Sequence, residues 1–289
     1  MNAADLSRDA RAERWRLFGL SIPALFLITL VMILPVGWLF LLSLQDENGA
    51  LSLANYRRLI EQPSYGRILF ASFEISLLVT AICAVLGYAL AYLLSQLPPR
   101  RAGLLMLGVL MPFWTSILVR TYAWLVLLQR DGIMNRFGIG LGLWRTPLVL
   151  VYNMQGTVIG LVHIMLPFLV LPLYGAMRAI DRDYVRAAAN LGAAPVQVFW
   201  HVFLPLSRAG LFAGATITFI LCLGSYVTPA VLGGGKVVMA ASAVATDVEL
   251  YFSWGPASAF GVVLLIVTSL LLFAASRFAR LDRLFGGGA

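Results

Sequence analysis

Residues 181–207 read DRDYVRAAANLGAAPVQVFWHVFLPLS, from Asp181 to Ser207. Asp183 opens a run of good helix formers, Val185 to Leu191, and is placed to act as its N-cap. Gly192 follows at the position where a left-handed residue closes a helix. Pro195 suits the first turn of a second short helix. Val198, Val202 and Phe203, with Phe199 beside them, make its apolar face, and Pro205 is expected to end it. The stretch therefore predicts a helix–turn–helix whose first helix is alanine-rich and smooth, a shape that fits a groove in another protein. An apolar run at 154–177 precedes it and another at 207–232 follows it. Each is long enough for a bilayer, which takes about 20 residues. The stretch is thus a surface loop joining two membrane spans.

The rest of the chain repeats the theme. Of 289 residues, 61 % are hydrophobic and only 12 % charged, and the mean hydropathy is +0.89. A soluble domain is roughly 45–50 % apolar and about 25 % charged, so a soluble globule is excluded. Disorder is excluded too, because it needs low hydrophobicity. Further apolar runs occupy Leu17–Leu44, 68–97, 102–128 and 256–279. The first is too long for a signal peptide and lacks a small-residue cleavage site near its end. Six helices result, in one all-α polytopic domain over 1–289: a tail at 1–16, a six-helix bundle at 17–279, and the loop at 181–206.

Lys and Arg set the orientation. The tail, the 98–101 turn, the 178–208 loop and the C-terminal end carry thirteen of them, and the alternate segments carry seven. The excess marks the cytoplasmic side, so both termini and the 181–206 loop are expected there. Because the net charge of +8 sorts by membrane side, a nucleic-acid role does not follow from it.

Pro23, Pro35, Pro112, Pro167, Pro172 and Pro229 are expected to bend or end helices. Gly156 with Gly160, and Gly210 with Gly214, form small faces for close helix packing. Cys83 and Cys222 lie in apolar runs and read as small core residues rather than a disulfide. No metal-ligand cluster and no phosphate-binding Gly-x-x-x-x-Gly-Lys-Ser/Thr pattern occurs. Six spans are few for a pore with walls on every side, which implies a partner chain.

Ionisable groups inside spans are costly and draw notice by default. Glu74 and Arg120 each fall roughly 9–12 Å from the outer surface at about 1.5 Å per residue. Either they pair and fix two adjacent helices, or one lines a pathway. His163, near the middle of the fourth span, reads as a packing residue or a pathway residue.

The loop resembles the coupling loop of permease subunits of binding-protein-dependent ABC importers. That pattern is Glu-Ala-Ala, three residues, Gly, about nine residues, a branched apolar residue, one residue, then Leu-Pro. Ala187, Ala188, Gly192, Leu204 and Pro205 match it, Val202 holds the branched position, and Arg186 stands where the family has glutamate. Leu166–Tyr174, Val119–Trp124 and Gly224–Gly235 look like the polyamine-type branch. The resemblance implies a type I importer permease fold in the bacterial inner membrane. It implies a second, different permease subunit, an ATPase dimer that binds ATP and Mg2+, and a periplasmic solute-binding protein, with membrane lipids around the bundle. This chain itself would hold no cofactor, metal or catalytic residue. The solute would be a polyamine such as putrescine or spermidine, or an opine or amino-acid-like compound. A cationic solute wants carboxylates and aromatic faces. Asp247, Glu249, Tyr251 and Trp254 in the outer 233–255 loop offer them, with Tyr226 nearby. That loop reads either as the mouth of the pathway or as an ordinary solvated loop. A secondary transporter acting without an ATPase would need an ion gradient and usually internal repeats. An intramembrane enzyme would need a nucleophile–base pair or metal, which the chain lacks.

Overall fold

The computed structural model describes residues 19, 21–46 and 49–286. The expected tail at 1–16 lies outside them, as do the side chains of Arg280 and Arg283. Among the described residues the regular structure is helical, and no strand forms beyond one isolated bridge between Gln45 and Leu51.

The first span is α1, Ser21–Ser43. A short helix α2, Ala54–Glu61, and then α3, Pro63–Gln96, follow. α3 begins five residues before the expected 68 because Pro63 occupies the first turn, where its missing N–H costs nothing. The third span is broken. α4, Pro99–Leu110, leads into a tight turn at Met111–Trp114, and α5, Ile117–Leu128, leaves it. The axis turns by 100° at the break between Trp114 and Ile117, just after the Pro112 turn. α6, Ile133–Gly140, then leads by an extended segment to α7, Met154–Arg178. α7 runs unbroken past Pro167 and Pro172. The Asn153 side chain accepts from Gly156 N at 2.9 Å and starts it.

α8, Arg182–Asn190, lies beyond the far end of α7. Pro195–Leu223 is one continuous helix, α9. The expected stop at Pro205 does not occur. The turn at Phe199–Phe203 is widened, with Leu204 N reaching back to Phe199 O. A proline clashes with the carbonyl four residues before it and lacks a donor, and an i→i+5 turn removes both problems. The same device precedes Pro35, where Thr29–Ile33 is widened in α1. At the other end, the fifth span stops at Leu223 instead of 232, and Pro229 sits in a separate short helix, α10, Val227–Leu232. The outer 233–255 segment is not a loop throughout: Ala240–Glu249 forms α11. α12, Trp254–Gly286, contains the sixth span. Five helices are long and apolar enough to cross a bilayer, and six if the bent pair is taken as one span, by length and composition.

The core is the contact of α3, α7 and α9. Val79, Cys83, Leu94, Leu161, Leu169, Leu173 and Cys222 are buried in it. The two cysteines remain free thiols. Gly210 and Gly214 lie against the α7 backbone at Pro172 and Leu169, so the expected close-packing face is real. Gly156 and Gly160 do not share one neighbour: Gly156 faces the Leu150 carbonyl and Gly160 faces Leu232 and Thr228 of α10. α1 is exposed along nearly its whole length and packs chiefly on α12.

Candidate functional site

The 181–206 loop is built from its two ends. Asp181, not Asp183, is the N-cap of α8: its carboxylate accepts from Asp183 N at 2.9 Å. Asp183 instead sits in the first turn, where its charge suits the helix dipole. It receives Arg186 Nη1 at 3.1 Å, and both side chains are about three-quarters exposed. Such a surface pair is worth about 1 kcal/mol at most. Gly192 has φ +85°, a conformation that suits glycine. Around it Gly192 N bonds Ala189 O at 2.9 Å and Ala193 N bonds Ala188 O at 3.1 Å, which caps the carbonyls that α8 leaves free. Gln197 Oε1 then accepts from Ala194 N at 2.9 Å and starts α9.

None of the nine residues of α8 is buried. Ala187 is exposed, Ala188 half-buried. α8 therefore stands out as a free surface with well-fixed ends. Val198 and Phe203 are buried, with Phe199 and Val202 half-buried beside them, as the apolar pattern predicts. Leu204 and Pro205 are half-buried where α9 enters the bundle. Because α9 is unbroken, the second half of the loop and the fifth span form one rod.

Several residues with no signal in the motif hold this end together. Arg178 Nη1 donates to Ser95 O at 3.3 Å and Leu97 O at 3.4 Å. Tyr88 and Tyr92 of α3 meet Phe199 and Phe203 edge to face. Arg178 had counted only as a charge. The four-residue spacing of Tyr88 and Tyr92 was visible, but nothing local said what they faced.

Inside the bundle, Glu74 and Arg120 are not paired. The ion pairs among the described residues are Arg57–Glu61 and Asp183–Arg186. Glu74 is exposed on α3. Arg120 rides on α5, which after the bend packs against α10 and α7 rather than α3. Its Nε is buried without a hydrogen-bond partner. His163 Nδ1 is likewise buried and unpartnered, and its ring meets Trp124 edge-on, centroids 5.5 Å apart. Thr121, next to Arg120 in the chain, shares a hydrogen bond of 3.3 Å with the Thr228 hydroxyl of α10.

At the end of the bundle away from α8, the two carboxylates of α11 part company. Tyr65 OH donates to Asp247 Oδ2 at 3.2 Å. Tyr226 OH donates to Glu249 Oε2 at 3.4 Å. Asp247 opens on a cavity of about 450 Å³ lined also by Tyr65, Tyr251, Gln62 and Arg58. Glu249, Tyr251 and Trp254 are exposed. This end of the bundle thus presents two carboxylates, each beside a tyrosine, with one guanidinium on the Asp247 side. Among the described residues no group of three or more His, Cys, Asp or Glu is placed to hold a metal ion.

The described residues thus form a bundle of bent helices that leaves one capped helix, α8, free on one face. Residues 9–281 match the model of the family described as binding-protein-dependent transport system inner membrane component, and the chain belongs to that family. It is 33 % identical over 230 residues to the spermidine/putrescine transport system permease protein PotB of Escherichia coli (strain K12), a match covering 80 % of this chain and 83 % of the relative. It is 33 % identical over 223 residues to PotB of Haemophilus influenzae (strain ATCC 51907 / DSM 11121 / KW20 / Rd), covering 77 % and 78 %. Its fold is similar to that of a chain in the crystal structure of a bacterial ABC transporter involved in the import of the acidic polysaccharide alginate, with TM-score 0.74 at 14 % identity over 96 % of this chain and 98 % of that one. The chain is therefore a multi-pass inner-membrane permease of the ABC importer class, with the type I fold. It is a transport component and not an enzyme. Secondary transport without an ATPase finds no support in these relatives.

Proposed function

We propose that this chain is one of two different permease subunits of an importer that takes a polyamine, such as putrescine or spermidine, from a periplasmic binding protein. Both termini and α8 face the cytoplasm, and α8 docks on an ATPase subunit that binds ATP and Mg2+. Arg186, Ala187, Ala188 and Gly192 form that contact, and Leu204 and Pro205 pass it to the fifth span. Glu74, Arg120 and His163 stand along the path, and Tyr226, Asp247 and Glu249 at its outer mouth.

The observation that carries the reading is α8, nine residues with none buried, at the end of a rod that continues into the core. The solute class is supported by relatives named for spermidine/putrescine transport and by two carboxylates set beside tyrosines at the outer end. A second reading, an opine or amino-acid-like solute, is favoured by Arg58 in the same cavity as Asp247.

The test is purification of the tagged chain from its native membranes with its co-purifying chains counted by mass. The expected result is two ATPase copies, one different permease and one binding protein. That binding protein is then titrated with putrescine, spermidine and opines. Recovery of the chain alone, in mild detergent, would overturn the reading. Binding of opines but not polyamines would replace the solute class and leave the importer standing.

A further inference from the structure

The cytoplasmic end of α3 is gripped by both ends of the 181–206 loop. Before the loop, Arg178 donates to Ser95 O and Leu97 O. These carbonyls lie where a helix ends and lacks intrahelical donors, and a cation there also suits the helix dipole. After the loop, Tyr92 meets Phe203 at a centroid distance of 5.0 Å and an interplanar angle of 86°. It meets Phe199 at 5.4 Å and 85°, and Tyr88 meets Phe199 at 5.9 Å and 87°. Edge-to-face geometry is the favoured one for aromatic pairs. Tyr88 and Ser207 also share a hydrogen bond of 2.8 Å. Ser207 already donates its one proton to Leu204 O at 3.0 Å, so Tyr88 is the donor.

Tyr88 and Tyr92 are four residues apart and share one face of α3. Phe199 and Phe203 have the same spacing in the widened turn of α9. Between the two grips the loop is free: α8 buries nothing. The loop is thus a handle whose two roots both fasten to the last turns of α3. The sharp break in the bundle lies elsewhere, at the 100° turn between α4 and α5.

We infer that Tyr88 and Tyr92 are positioning residues that bind the coupling loop to the second span, so that α3, α7, α9 and the loop move as one body while the third span flexes. This rests on the reading of 181–206 as the ATPase-docking loop. The rings do not touch solute or nucleotide; they set whether displacement of α8 reaches the pathway.

The experiment uses the complete importer in proteoliposomes and reads ATP hydrolysis with and without the binding protein. In Tyr92→Leu and in the Tyr88→Leu/Tyr92→Leu pair, basal hydrolysis stays near the parent value. Its stimulation by the binding protein falls at least about fivefold, the lower end of coupling between distant sites. Tyr92→Phe keeps the ring and restores stimulation. A Tyr92→Cys/Phe203→Cys chain joined by a short bifunctional thiol reagent keeps stimulation, because the joined groups do not separate. Cys83 and Cys222 are buried, and the parent chain treated with the same reagent is the control. Loss of stimulation on cross-linking overturns the inference, as does full stimulation in the leucine variants, or failure of the phenylalanine variant together with them. The cross-linked chain keeps the test alive if a leucine variant does not assemble. A parent complex with no ATPase bound would overturn the docking reading itself, and is seen before any variant is made.

Discussion

Gly214 lies directly on the backbone of Leu169: a Cβ at that position would stand 2.7 Å from the Leu169 carbonyl oxygen and 3.1 Å from its Cα. No rotamer can relieve a clash with backbone, so α7 and α9 approach at a distance that only glycine permits. Gly214→Val is expected to push the two helices apart at a cost of about 1–3 kcal/mol, as for other overpacked cores. The check is the apparent Tm in detergent. Gly103→Ala is the control, because nothing lies within 4 Å of its Cβ position and alanine gains up to about 1 kcal/mol in a helix. Equal melting of both variants would refute the packing argument.

Gly192 and Asp181 fix the two ends of α8. Gly192→Val places a β-branched residue at φ +85°, a strain of about 1–3 kcal/mol, and Asp181→Ala removes a cap worth about 1 kcal/mol. Because α8 buries nothing in the bundle, both changes should spare the melting of the spans. Each should lower the amount of ATPase that co-purifies with the chain. Undiminished ATPase in both would show that the helix ends do not present the docking surface.

Arg186→Glu turns an attractive pair with Asp183 into a repulsive one three residues apart. On an exposed helix that costs only a few tenths of a kcal/mol, so folding is unaffected. The expected loss is in ATPase retention, since the partner surface must suit a cation here. Arg186→Lys should keep most of it. Equal retention in the glutamate and lysine variants would mean that no charge is read at this position.

Asp247→Asn/Glu249→Gln removes the two outer negative charges and leaves the tyrosine contacts in shape. Uptake of labelled putrescine should fall about tenfold or more, the equivalent of one charge-assisted hydrogen bond, with assembly unchanged. Unaltered uptake in the double variant would end the case for a receiving mouth.

Much of this was legible in the residues. The spans, the loop and its cap at Gly192, and the Gly210–Gly214 face all follow from local patterns, because helix length, capping and small-residue spacing are local properties. Pro205 misled, since a proline marks a strained turn without saying whether the helix stops or widens. Pro167 and Pro172 pass without a break for the same reason. The Glu74–Arg120 pair did not form because equal depth says nothing of which helices are neighbours, and the bend after Pro112 sends Arg120 toward α10. The grip of Tyr88 and Tyr92 on Phe199 and Phe203 joins positions more than a hundred residues apart, beyond the reach of any periodicity.

The widened turn at Phe199–Phe203 has a further meaning as a phase shift. It holds one residue more than an ordinary turn would, and one residue is about 100° of rotation in an α-helix. Deleting Val202 would draw the turn back to normal width, return the Pro205 ring to the clash it now avoids, and rotate everything after it. Gly210 and Gly214 would then face away from α7, and bulkier side chains would meet the Leu169 backbone in their place. The chain length between α8 and the fifth span is therefore fixed to the residue. Insertions or deletions are tolerable on the free side of α8 and not between Pro195 and Gly214.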